Sequence, residues 1–223
     1  MSASIVKRLM RWSSCDVADG LSRLKHVHGG FLDGLVMHSP EFQAGSTKIV
    51  GPAFTVKFVP KGDTEAPSVQ GNYIDQTPKG AVVFLSQPLP HVNAVYGGLM
   101  SLRAQHSGAA GVVVDGRVRD LQEHRDLGFP VFARSVGTTA GGAVCRPSLI
   151  GEPVRLNSGD QEAWVRQGDY VVADLNGVVV VPADVVEKVL DLIPGIVEAD
   201  EKCVEGIKAG RTVQDVFKEF RGR

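Results

Sequence analysis

The 223-residue sequence predicts an α/β fold, and three observations carry that expectation. "GAVVFLS" (80–86) and "AAGVVVDG" (109–116) are continuous apolar runs of strand length, the second as expected of a strand buried on both faces. Between them "NAVYGGLMSLRAQHSG" (93–108) places Leu99, Leu102 and Ala104 in a helix-compatible window, with Asn93 ahead of it and Gly108 positioned to stop it. Strand, helix, strand makes a right-handed crossover, and such units put functional loops beyond the carboxyl ends of their strands.

Upstream, Ser13 or Ser14 is placed to cap a short amphipathic helix in which Val17, Leu21 and Leu24 recur at helical spacing, and Gly29-Gly30 then opens a loop. "KIVGPAFTVKFV" (48–59) is rich in valine and phenylalanine and reads as a strand, followed by the loop "PKGDTEAPSVQGN" (60–72). Downstream, "FPVFARSV" (129–136) is another strand, and residues 151–193 predict two or three strands leading into a helix. "DLNG" (174–177) lies between two valine-rich runs and predicts a hairpin, because Asn-Gly tolerates positive φ. The segment from about 183 to 223 is helical in pattern, with "VVEKVLDLI" (185–193) amphipathic.

A 43% hydrophobic content suffices for one sizeable core, so residues 1–223 are expected to form a single domain. The formal charge of −1 and the lack of a long basic run argue against a nucleic-acid partner. Cys15, Cys145 and Cys203 are odd in number and widely spaced, fitting neither a disulfide framework nor a CxxC metal site, which points to a reducing compartment. The N-terminal apolar stretch is too short for a signal peptide, and no window approaches the roughly 20 apolar residues of a membrane span. Lys7, Arg8 and Arg11 read as the solvated face of a first helix, and a cytoplasmic protein with no membrane partner is expected.

Chemistry concentrates in two places. If a helix begins near Gly97-Gly98, the amides of Gly98, Leu99 and Met100 point from its positive end and form an anion site that the glycines allow a ligand to approach; the same pair would equally serve as a plain turn. In "VVVDGRVRDLQEHRD" (112–126), Arg119 offers a planar fork for a carboxylate or enolate oxygen and Asp120 offers hard oxygen to Mg²⁺ or Mn²⁺; an ion pair fixing the loop is the plainer alternative. Glu123 follows three residues later, as a carboxylate that steadies metal-bound water or as a solvated charge. His91 lies close in sequence to the glycine pair, while Asp174 and Asn176 suit the hairpin turn. His106 and His124 lack metal-ligand spacing, and Cys145 suits a packed thiol.

"GGLMSLRAQHSGAAGVVVDGRVRD" (97–120) resembles the signature of the RraA-like family, with further similarity in "GPAFTV", "GFPVFAR" and "GDYVVADLNGVVVVP". "RDLQEHRDLGFPVFAR" is most similar to fungal members. The resemblance implies a layered α/β/β/α sandwich related to the swivelling phosphohistidine domain. It implies a metal-dependent lyase, either a class II pyruvate aldolase cleaving 4-hydroxy-4-methyl-2-oxoglutarate or an oxaloacetate decarboxylase, with a 2-oxo acid substrate. It further implies Mg²⁺ or Mn²⁺ on Asp120, pyruvate on the amides of Gly97 to Met100, and Arg119 on the substrate. A homotrimer or homohexamer is implied, with sites between subunits and carboxylates around Glu198 and Glu201 facing a neighbour. The family's aldolases carry an aspartate separated from the Arg-Asp pair by twenty intervening residues, where this chain has Gly98, so decarboxylation is expected to outrun aldol cleavage and Gly98→Asp to restore the latter. The family's regulator branch, which binds a protein partner without catalysis, is the alternative; it lacks the intact Arg-Asp pair found here.

Overall fold

The computed structural model describes residues 2–90 and 92–222, so the role considered for His91 lies outside the described residues. Two helices open the chain, α1 (Ser2–Leu9) and α2 (Ser14–Arg23). Ser13 is the cap of α2: its hydroxyl accepts from the Asp16 amide while the Asp16 carboxylate accepts from the Ser13 amide at 2.8 Å. Ser14 instead donates its amide and hydroxyl to Asp174, both at 2.7 Å, tying the helix start to a distant hairpin.

The strands are β1 (Phe31–Leu32), β2 (Val36–Ser39), β3 (Ile49–Pro60), β4 (Val82–Ser86), β5 (Gly111–Val118), β6 (Val131–Val136), β7 (Cys145–Ile150), β8 (Val154–Arg155), β9 (Trp164–Val165), β10 (Tyr170–Asp174) and β11 (Gly177–Val181). The further helices are α3 (Gly98–His106), α4 (Leu121–Asp126), α5 (Val186–Lys208) and α6 (Val213–Phe220). The strands order as β1-β11-β10-β3-β4-β5-β6-β2, with β7 on the second half of β3. β3 through β6 are mutually parallel, joined by α3 between β4 and β5 and by α4 between β5 and β6. The flanking β10, β11, β1 and β2 pair antiparallel.

Period-two alternation sorts these strands into layers. Val83, Leu85, Val112, Val114 and Val131 face one way and pack with Tyr96 and Ala104 beneath α3 and α4. Val82, Phe84, Val113 and Phe132 face the other way, against Leu35, Val171, Ala173 and Val178. The outer face of the antiparallel part, with Val172, Val179 and Val181, meets Leu9, Leu21, Val189 and Ile193 of α1, α2 and α5. The result is the expected α/β/β/α sandwich.

Several details depart from the sequence expectation. β5 does not stop at Gly116 but continues through Arg117 and Val118, with a register irregularity between Val114 and Arg117. β1, β2 and β7 were not anticipated, and residues 151–193 hold four strands rather than two or three, of which β8 and β9 are two residues each. Such short strands bury too little to leave a periodic signature. In the hairpin only Gly177 takes positive φ, at 130°; Asn176 donates its amide to Asp174 Oδ1 instead. Among the described residues no helix is long and apolar enough to cross a membrane.

His38, on β2, is buried with its Nε2 lacking a hydrogen-bond partner among the described residues, and burial pushes its pKa below the ordinary 6.5, against a raising contribution from the Ala133 backbone. The native state therefore binds fewer protons than the unfolded chain as pH falls below about 6.5, and stability present above that pH is lost at up to about 1.4 kcal/mol per pH unit for such a group. Thermal melts at pH 7 and pH 5 should show a lower Tm at pH 5, with a smaller drop in His38→Leu; equal drops in the two proteins would remove His38 from the acid response.

Candidate active site

The crossover positions the site. After β4, residues 94–97 return alongside the end of β5: Tyr96 forms a parallel bridge with Val118, the Val95 amide donates to the Arg117 carbonyl at 3.0 Å, and the Arg119 amide donates to the Tyr96 carbonyl at 3.0 Å. Gln87 braces this return, its Nε2 donating to the Asn93 carbonyl at 2.6 Å and its Oε1 accepting from the Arg117 amide at 2.8 Å. Asn93 does not cap α3; its side chain donates to the Ala140 carbonyl, and Gly97 is the cap residue. The loop after one strand is thus fastened to the loop after the next, and Gly97-Gly98 meets Arg119-Asp120.

Asp120 precedes α4 in a left-handed conformation, φ 62° and ψ 43°, which aspartate tolerates better than most residues. That geometry turns its carboxylate away from its own helix and onto α3, where Oδ2 accepts from the Gly98 amide at 3.1 Å. Arg119 Nε lies 3.5 Å from the same oxygen; the arginine side chain is 41% exposed and the aspartate 29%. Glu123, one turn into α4, leans over Gly98.

The glycine pair is explained by these neighbours. A Cβ on Gly97 would stand 2.5 Å from Asp120 Oδ2, and one on Gly98 would fall on the Glu123 carboxylate. The anions that the glycines admit to the helix start are therefore the protein's own carboxylates, a correction to the expected open nest of three amides. Gly98's amide is taken by Asp120, and Met100's donates to the Gly97 carbonyl at 3.1 Å. Only the Leu99 amide of the three lacks a partner among the described residues. The same crowding bears on Gly98→Asp, since an aspartate there must displace Glu123.

Together these residues line an open cleft of about 480 Å³, with Tyr96, Gly97, Leu99, Met100, Arg119, Asp120 and Glu123 on its wall. A second cleft of about 610 Å³ adjoins it across Arg119 and Asp120 and reaches Thr138 and Thr139. Beneath the floor, His124 is fully buried and stacks on Tyr96 with ring centroids 5.8 Å apart. Burial lowers its pKa, partly offset by the Arg119 backbone and by Asp120.

The remaining candidates lie elsewhere. Asp174 serves the hairpin and the α2 start, as hydrogen-bond acceptor for Asn176 and Ser14. His106 is exposed at the far end of α3, and Cys145 is buried, its thiol donating to the Gly141 carbonyl and its pKa pushed up by burial. Glu198 pairs with Lys202 at 2.7 Å on α5, in the opposite outer layer from α3, so neither it nor Glu201 reaches this chain's own cleft. Gln87 and Tyr96 escaped sequence reasoning, because a lone glutamine or tyrosine beside a strand carries no motif.

The donor set is all oxygen. Asp120 and Glu123 are hard carboxylates, and among the described residues no group of three or more His, Cys, Asp or Glu side chains is arranged around one metal position. Carboxylate oxygens are the donor type that Mg²⁺ and Mn²⁺ take, one or two at a time beside waters and substrate oxygens, whereas zinc-type sites draw on imidazole or thiolate.

A family model for RraA-like proteins, described as Aldolase/RraA, matches residues 14–180, and the chain belongs to that family. It is 27% identical over 218 residues to protein DlpA of Legionella pneumophila, covering 97% of this chain and 34% of that one. It is 35% identical over 144 residues to a Halalkalibacterium halodurans protein provisionally named 4-hydroxy-4-methyl-2-oxoglutarate aldolase, covering 64% of each. The chain thus spans about a third of DlpA and under two thirds of the second relative. Among solved structures it is similar to Streptomyces coelicolor RraAS2, described as an unusual member of the RNase ES inhibitor RraA family, with a TM-score of 0.75, 25% identity, and coverage of 95% and 98%.

Proposed function

We propose that this chain is a divalent-metal-dependent carbon-carbon lyase acting on 2-oxo acids by way of a pyruvate enolate. The observation that carries the reading is the convergence of Arg119, Asp120 and Glu123 on the start of α3 in one open cleft. A bound Mg²⁺ or Mn²⁺ would act as a Lewis acid, drawing electron density from the bond that breaks. Asp120 would hold that ion, anchored by its hydrogen bond to the Gly98 amide. Arg119, tethered only loosely at 3.5 Å and widely exposed to the cleft, would bind the substrate carboxylate and stabilise charge as it develops on the enolate oxygen. The Leu99 amide, without a partner among the described residues at the positive end of α3, would add a further donor for the carboxylate.

Oxaloacetate, losing carbon dioxide, and 4-hydroxy-4-methyl-2-oxoglutarate, losing pyruvate by retro-aldol cleavage, both present the required 2-oxo carboxylate. We take the protein to be cytoplasmic and assembled as a homotrimer or homohexamer in which a neighbour completes the cleft. A second reading, a regulator that binds a protein partner, is favoured by the likeness to RraAS2 and by Leu99, 73% exposed at the cleft mouth.

A lactate-dehydrogenase-coupled pyruvate assay separates the two readings. With Mg²⁺ or Mn²⁺ present, oxaloacetate is expected to release pyruvate faster than the uncatalysed rate in the same metal, and dialysis against excess EDTA should abolish the difference. Pyruvate formation indistinguishable from the protein-free control on both substrates would leave the regulator reading.

A further inference from the structure

We infer that Glu123 stands in for a side chain at position 98 as the second metal-facing carboxylate of the cleft, so that Gly98 and Glu123 form one exchangeable unit. The inference rests on the metal-dependent reading above and adds to it a residue and a constraint. A Cβ on Gly98 would meet three atoms of Glu123, among them Cδ at 2.6 Å and Cβ at 2.7 Å, so the glutamate occupies the volume into which any residue-98 side chain would grow. Gly98 is helical and free of positive φ, hence its backbone accepts an L-residue, and the three nearest atoms that a Cβ there would meet all belong to Glu123.

Glu123 is not held there by a structural partner. Its carboxylate makes no hydrogen bond or ion pair among the described residues, whereas the neighbouring Asp120 is bonded to the Gly98 amide. The first turn of α3 carries no acidic residue and no side-chain cap of its own. Both carboxylates at this positive helix end therefore come from the α4 side, three residues apart on the same turn. With Asp120 engaged by α3 and Glu123 unengaged beside it, the latter is the group left to orient metal-bound water or to ligate directly. A water-orienting carboxylate at a metal typically contributes 10- to 100-fold in affinity.

Mn²⁺ binding to the dialysed protein, read from the electron paramagnetic resonance signal of free Mn²⁺, tests this without reference to turnover. The wild type is expected to bind Mn²⁺, and Glu123→Gln to bind at least about 10-fold more weakly with an unchanged melting temperature. Gly98→Asp alone should leave binding near the wild-type value, because it trades one carboxylate for the other, while Gly98→Asp in a Glu123→Ala background should bind more tightly than Glu123→Ala itself. Wild-type affinity in Glu123→Gln, or no gain in the double variant over Glu123→Ala, would overturn the exchange while leaving the metal reading intact if Asp120→Asn still loses the ion. Failure of the wild type to bind Mn²⁺ at all would sink both together. Should Gly98→Asp not fold by circular dichroism, Glu123→Gln and the double variant decide the matter.

Discussion

Asp120→Asn is expected to give a folded protein whose pyruvate release falls by about 100-fold or more, the scale reached when a single charge-stabilising group is removed from an active site. The fold should survive because asparagine shares aspartate's tolerance of the left-handed conformation found here, φ 62°, and its amide oxygen still accepts from the Gly98 amide. What asparagine cannot supply is the negative charge that holds a divalent ion. Circular dichroism melts alongside the coupled assay distinguish the two consequences, and undiminished turnover in a variant of unchanged Tm would remove Asp120 from the chemistry.

Arg119→Lys should also damage catalysis far beyond what loss of its ion pair with Asp120 explains. That pair is long, at 3.5 Å, and partly solvent-exposed, so it contributes at most about 1 kcal/mol to stability. Lysine keeps the charge and loses the planar fork that grips two oxygens at once. If the fork holds the enolate more tightly than the ground state, kcat falls by more than KM rises. Oxalate, a planar mimic of pyruvate enolate, should inhibit the wild type and bind the lysine variant less well. Oxalate affinity and kcat both close to the wild-type values would assign Arg119 to holding the loop.

These two residues and the glycine pair were legible in the sequence because each belongs to a local pattern: an apolar run, a charged loop at its carboxyl end, and a glycine pair at a helix start. Their adjacency was also foreseeable, since parallel crossovers bring consecutive strand ends together. The purpose of the glycines was not. An open amide nest and a close approach by the protein's own carboxylates need the same residue type, and the choice depends on where α4 lies relative to α3. Glu123 was ambiguous for the same reason, as its surroundings come from a residue 25 positions upstream rather than from its neighbours.

By itself the sequence determined the class of fold, the parallel crossover from β4 through α3 to β5, the hairpin at 174–177 and the identity of the charged loop, all of which follow from local periodicity and turn chemistry. Tertiary structure alone decided that β5 runs on through Val118, that Gln87 ties two strand ends together, and that Asp120 adopts a left-handed backbone at a non-glycine position. It alone decided that the carboxylates of Asp120 and Glu123 lie over the α3 start. The physical reason is that these features are set by through-space crowding and by hydrogen bonds across crossovers, which leave no mark on the spacing of residues along the chain.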